Sequence, residues 1–213
     1  KMKILDCTLR DGGYYTSWDF DQNLVDTYFK SLNNLPVDYL EIGYRSLPMK
    51  DYLGEYFYLP LYVIEKIKLL SNKKLVIILN EKDVTVDQLP QLLGPLQNLV
   101  TMVRMAIDPK NLKRALILAE GVKKMGFEVG FNVMYMSTWA DQKEFIQDLK
   151  FVDGLTDYFY MVDSFGGVYP SDVINTIQMV REKTSVPLGF HGHNNMELGL
   201  INTLTALEHG VEM

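Results

Sequence analysis

Near one end of the chain, His191-Gly192-His193-Asn194-Asn195 closes a strand-like run; near the other, Thr8-Leu9-Arg10-Asp11-Gly12-Gly13 closes another. Side chains at i and i+2 of a strand point the same way. The two imidazoles can therefore converge on one point, and a carboxylate from another strand can complete a metal site. If the strands between them close a barrel, Asp11, His191 and His193 meet at one rim. One carboxylate and two imidazoles, with positions left for water or substrate, suit an octahedral Mg²⁺ or Mn²⁺ ion; the same set also holds non-haem Fe(II). With Cys7 the single cysteine, a closed structural zinc site built on thiolates is not expected. Gly192 removes bulk between the imidazoles, and Asn194 and Asn195 offer amides to support the ligands. A lone His-x-His pair is also found as ordinary hydrogen-bonding residues at polar strand ends, so the distant Asp11 carries much of the weight.

Seven strand-like runs must position these groups, at residues 3–9, 39–44, 74–80, 99–107, 128–134, 158–162 and 187–193. Helical patterns alternate with them at 22–34, 60–70, 86–93, 111–125, 141–151, 170–183 and 196–209. The fourth helix ends at Gly126, as a helix C-cap prefers. Runs such as Leu75-Val76-Ile77-Ile78-Leu79 are apolar on both faces, as in a parallel sheet covered by helices. Strict alternation leaves a doubly wound sheet or a (β/α)8 TIM barrel. The polar residues favour the barrel. Arg10-Asp11, Glu41, Arg104, Ser137, Asp163 and His191/His193 fall at or just after the ends of successive strands, which a barrel gathers around one site. No GxGxxG follows the first strand, which argues against dinucleotide binding.

The strand count falls one short of eight, and Gly210-Val211-Glu212-Met213 falls where an eighth strand would begin. A barrel of this kind usually takes about 250 residues. Residues 1–213 are expected to form one TIM-barrel catalytic domain, incomplete at its C-terminus, with the edge between strands seven and one covered by other elements.

At 213 residues, 47% hydrophobic and 23% charged, the chain is ordinary for a globular protein. Its 21 basic and 27 acidic residues give a net charge of -6, which argues against nucleic acid as a partner. No apolar run approaches the roughly 18 residues that cross a bilayer. The chain opens as a strand rather than a signal peptide, and one cysteine suits a reducing compartment. A cytoplasmic protein without nucleic-acid or membrane partners is the expectation.

Together, Thr8-Leu9-Arg10-Asp11-Gly12 and His191-Gly192-His193-Asn194 resemble the DRE-TIM metallolyase (HMGL-like) superfamily, which includes HMG-CoA lyases, isopropylmalate and homocitrate synthases, and 4-hydroxy-2-oxovalerate aldolases. Leu40-Glu41-Ile42-Gly43 and Asp163-Ser164-Phe165-Gly166 match as well, and residues 134–137 match more loosely. The chain looks closer to the aldolase branch, since the synthases continue with Glu-Gln after the first motif's glycine.

The resemblance implies that Asp11, His191 and His193 bind a divalent cation, Mn²⁺ or Mg²⁺, and that Arg10 donates to an enolate oxygen. It implies an aldolase acting through a pyruvate-like enolate on a 4-hydroxy-2-oxo acid. Glu41 is placed in the catalytic set as the carboxylate that orients Arg10. Related aldolases carry a histidine three residues after the metal aspartate. Here that position is Tyr14, a phenol of ordinary pKa near 10 and a poor base at neutral pH unless the metal or Arg10 lowers it; Tyr14 is then an acid or a substrate hydrogen-bonder, and the base a metal-bound water or another residue. Arg104, Ser137 and Asp163 are expected to bind substrate. Tyr44, Arg45 and the aromatic stretch 52–62 offer either a lid or an interface. The expected partner is a small 2-oxo acid, with a homodimer and a dehydrogenase subunit as further partners. The alternatives are an acyl-CoA/2-oxo acid condensing synthase of the same superfamily, a metal-binding barrel without turnover and, more distantly, an iron oxygenase.

Overall fold

Five successive apolar residues, Leu75 to Leu79, are all buried and form the middle of a parallel strand. The computed structural model describes residues 1–51 and 53–213. In chain order the elements are β1 (Leu5–Asp6), α1 (Thr8–Thr16), α2 (Gln22–Leu32), β2 (Tyr39–Tyr44), α3 (Glu55–Tyr58), α4 (Leu61–Leu70), β3 (Lys74–Asn80), α5 (Leu89–Leu93) and β4 (Met102–Ile107). They continue with α6 (Leu112–Lys124), β5 (Glu128–Val133), α7 (Lys143–Asp148), β6 (Tyr158–Val162), α8 (Pro170–Arg181), β7 (Leu188–His191) and α9 (Gly199–Glu208). The strands follow one another in sequence order, β1 to β7. This βα succession is that of a TIM barrel. Among the described residues no helix is long and apolar enough to cross a membrane.

The chain divides into two units, one of residues 3–104 with 124–128, the other of residues 1–2, 105–123 and 129–213. In the first unit β1 pairs with β2 (Leu5 opposite Tyr39) and β2 with β3 (Tyr39 opposite Lys74), all parallel. The β2–β3 register slips between Glu41 and Gly43, so β2 carries a bulge beside Glu41. A bulge re-aims the side chains around it. Gly43 is required by space: a Cβ there would lie 2.1 Å from the backbone oxygen of Tyr56. Gly43→Ala should therefore lower stability by about 1–3 kcal/mol, the usual range for overpacking, readable as a drop in urea midpoint without a change in slope.

The structure corrects the expected first strand. It ends at Asp6, and Thr8 already opens a helix, so Arg10 and Asp11 lie in the first turns of α1 rather than at a strand end. The Asp6 carboxylate turns the chain there, accepting from Thr8 N (3.0 Å) and Thr8 Oγ1 (3.1 Å). At its far end α1 stops at Ser17 and Trp18, both left-handed (φ 53° and 55°). The Trp18 indole folds back to donate to the Arg10 carbonyl (2.9 Å) and lies where a Cβ on Gly13 would be 2.0 Å away. A helix with two internal glycines is intrinsically weak, and these contacts hold it.

The aromatic stretch, expected as a lid or an interface, is pinned down in the same unit. Tyr52 lies outside the described residues. Gly54 N donates to Ser17 O (2.7 Å) and Tyr56 N to Trp18 O (3.2 Å), while Phe57 packs on Trp18 and Tyr44 at 5.0 and 5.2 Å. Arg45 donates to the carbonyls of Leu92, Tyr58 and Leu59. The stretch includes the short helix α3.

In the second unit β5 pairs with β6 and β6 with β7, ending at Val162 opposite His191. His193 therefore lies beyond the strand, whereas strand seven was expected to run through it; β6 has ended and offers no further ladder partner. The expected helix at 141–151 is shorter, with 3-10 turns on both sides of α7. α9 starts later than expected because Asn194 Oδ1 accepts from Gly199 N (3.0 Å) at its entrance. Beyond α9, Glu212 N donates to Leu188 O and Phe190 N to Met213 O, both at 2.8 Å. Residues 211–213 thus begin strand-like pairing beside β7, at the position expected for an eighth strand.

Candidate active site

In the first unit the chemistry is built on Glu41. Its position in β2 buries it to 1% exposure, and two guanidiniums meet it: Arg10 Nε at Oε1 and Arg104 Nη1 at Oε2, both 2.7 Å. Burial alone would push the Glu41 carboxyl up, but Arg104 and Arg10 hold it below the usual carboxylate range. Burial likewise opposes the Arg10 charge, and the Glu41 carboxylate outweighs it, so Arg10 stays charged. Arg10 Nη1 also donates to Asp11 Oδ1 (2.5 Å). Two of its three nitrogens are thereby fixed, and Nη2 has no hydrogen-bond partner among the described residues. A guanidinium fixed on two sides presents its remaining edge as a preorganised donor. Arg104, at 1% exposure, is buried against Glu41.

Tyr14, one turn beyond Arg10 on α1, is 64% exposed, yet its hydroxyl lies 3.0 Å from that of Tyr44 at the end of β2. Trp18 supports both rings edge-on, at 4.8 Å from Tyr14 and 5.7 Å from Tyr44. Sequence reasoning missed Trp18. Its only signal was an aromatic residue a few positions after a Gly-Gly pair.

In the second unit His191 closes β7, and the His193 ring sits 4.9 Å from it, edge-on at 62°. His193 Nδ1 lies 2.6 Å from the carbonyl oxygen of Asp163. A carbonyl only accepts, so Nδ1 carries the hydrogen, and in the neutral imidazole Nε2 is then the nitrogen with a lone pair. This arrangement is how ligand imidazoles are commonly oriented, and it fits His193 to a divalent ion. The Asp163 carboxylate is turned onto its own loop, accepting from Gly167 N (3.2 Å) and Val168 N (3.5 Å). Ser137 is exposed in the turn after β5 and lines a cleft of about 290 Å³ with Asp172, Asn175 and Thr176. Two further residues hold these loops: Ser164 Oγ accepts from Tyr135 N (2.9 Å), and Asn195, expected as a supporting amide, packs where a Cβ on Gly166 would be 2.4 Å from its Oδ1.

The HMGL-like family matches residues 98–213, more than half of the chain. A crystal structure of the N-terminal domain of a candidate aldolase from Bacteroides vulgatus is 54% identical, with a TM-score of 0.97, covering 99% of this chain and 71% of that one. The chain belongs to the HMGL-like family.

The expected DRE-TIM resemblance is thereby met, and so is the TIM-barrel fold. A variant carboxyl transferase domain of Rhizobium etli pyruvate carboxylase shares this fold at 14% identity and a TM-score of 0.80, over all of this chain and 39% of its own. Within the aldolase branch, the 4-hydroxy-2-oxovalerate aldolase of Geobacillus thermodenitrificans is 27% identical over 223 residues, covering 97% of this chain and 60% of its own. That of Carboxydothermus hydrogenoformans is 28% identical over 225 residues, covering 99% and 62%. This HMGL-like chain thus spans about three fifths of the length of these curated relatives.

Proposed function

We propose that the full-length protein is a divalent-metal-dependent carbon–carbon lyase of the aldolase type, acting through a pyruvate-like enolate on a 4-hydroxy-2-oxo acid. Family membership and the aldolase names of its relatives support this. The observation that carries it is the His193 Nδ1 bond to the Asp163 carbonyl, which leaves Nε2 free as a ligand nitrogen. Residues 1–213 act in it as a single catalytic domain.

Asp11, His191 and His193 would hold Mn²⁺ or Mg²⁺, which would supply Lewis-acid polarisation of the 2-oxo group. Arg10, fixed by Glu41 and Asp11, donates through Nη2 to the oxygen that gains charge as the enolate forms. Glu41 is a positioning residue, and Arg104 keeps it ionised. Tyr14 serves the hydroxyl of the substrate, while Ser137 and the Asp163 loop line the pocket. The Asp163 carbonyl also orients His193.

The test is exchange of pyruvate methyl protons into D₂O by NMR, using full-length protein with Mn²⁺. Exchange is expected in the natural protein, and Asp11→Ala should reduce it to the rate of free metal. Equal exchange in Asp11→Ala would remove Asp11 from the site, and none in the natural protein would overturn the proposed function.

A further inference from the structure

Tyr14 is an exposed tyrosine whose hydroxyl is nonetheless held in place. The partner is Tyr44, 3% exposed, whose ring is fixed between Trp18 (5.7 Å) and Phe57 (5.2 Å) and whose hydroxyl lies 3.0 Å from that of Tyr14. Tyr44 closes β2, just beyond the bulge that starts at Glu41, so the strand that supports Arg10 also supplies this hydroxyl. Resting on the proposed function, we propose that Tyr44 is a positioning residue that donates its hydroxyl hydrogen to Tyr14 Oη and thereby makes Tyr14 the acid and base of the carbon–carbon step.

In condensation, the enolate carbon bonds to the aldehyde carbon and the carbonyl π electrons move to its oxygen. That oxygen takes the Tyr14 proton, leaving a phenolate. The Tyr44 hydrogen bond is stronger to the phenolate than to the phenol, so it favours the charged form that appears along the reaction. Cleavage is the reverse: the Tyr14 phenolate takes the proton of the substrate hydroxyl, and the C3–C4 bonding electrons become the enolate. Tyr14 exchanges its proton with solvent between turnovers, as its 64% exposure allows. Burial pushes the Tyr44 phenol above its usual range, so Tyr44 keeps its hydrogen when Tyr14 has given up its own.

Proton transfer to the substrate hydroxyl is not needed to enolise pyruvate, and that separates the two claims. In the full-length Mn²⁺ protein, Tyr44→Phe keeps the ring packing and should leave pyruvate exchange unchanged. Its kcat for cleaving 4-hydroxy-2-oxovalerate should fall about 10- to 100-fold at unchanged KM. Tyr14→Phe should fall further, and Tyr14→Phe/Tyr44→Phe should be no worse than Tyr14→Phe alone. Cleavage by Tyr44→Phe at the natural rate, or losses that multiply in the double variant, would overturn the role of Tyr44 and leave the proposed function standing. Exchange without cleavage in the natural protein would overturn both the 4-hydroxy-2-oxo acid substrate and this role. Absence of exchange would overturn the proposed function itself.

Discussion

Glu41→Gln should lower unfolding stability at neutral pH by about 3 kcal/mol, the cost of breaking a buried ion pair from one side. The carboxylate meets Arg10 and Arg104 at 2.7 Å each. A glutamine of the same shape offers one oxygen and turns an NH₂ toward a guanidinium. Arg10 still has Asp11, so the larger loss falls on its link to β2 and on Arg104. The pH dependence has a definite sign. The folded Glu41 carboxyl is held below its usual range, so its contribution is complete above an unfolded value of about 4.3 and fades as pH falls through the lower folded value. The gap between natural and variant protein in urea midpoint should be widest near neutrality and narrow in acid. A gap that is constant with pH would show that the ionised carboxylate is not what the fold uses.

Arg10→Lys should cut pyruvate exchange about 100- to 1,000-fold, the range seen when a preorganised donor at a developing oxyanion is removed. The charge survives this change and the geometry does not. Arg10 reaches Glu41 through Nε and Asp11 through Nη1, which leaves Nη2 as its remaining edge. A single ammonium cannot reproduce that fork. Because folding depends on the same pair, exchange rates are to be compared at matched folded fractions. An Arg10→Lys protein that exchanges at the natural rate would reduce Arg10 to a counter-charge for Glu41.

The elements that were legible were the ones whose sequence allowed one answer. β2, β3 and β6 match their expected limits because their runs are rich in buried aromatic and branched apolar residues. α1 was misread because its sequence, TLRDGGYYT, has two glycines and no apolar period. What makes it helical is Trp18 closing over Gly13, a contact that local pattern cannot reveal. His191 and His193 were legible as a pair but not as a strand pair; the bond from His193 to the Asp163 carbonyl spans 30 positions. The Glu41–Arg104 contact spans 63 positions, and the sequence showed only two charges in apolar strands. The Tyr14–Tyr44 contact was equally hidden, since one residue was expected at the site and the other in a lid or an interface.

The chain has two tryptophans, and they fall one in each unit. Trp18 lies against the α1 backbone that presents Arg10 and Asp11, while Trp139 is fully buried beside Phe145 and Phe159. The tryptophan fluorescence of residues 1–213 is therefore divided between two environments with different surroundings. Emission from Trp18 reports on the segment that carries the arginine and the aspartate, and emission from Trp139 reports on the unit that carries the histidines. Each half of the proposed site comes with its own optical probe, without any label having to be introduced.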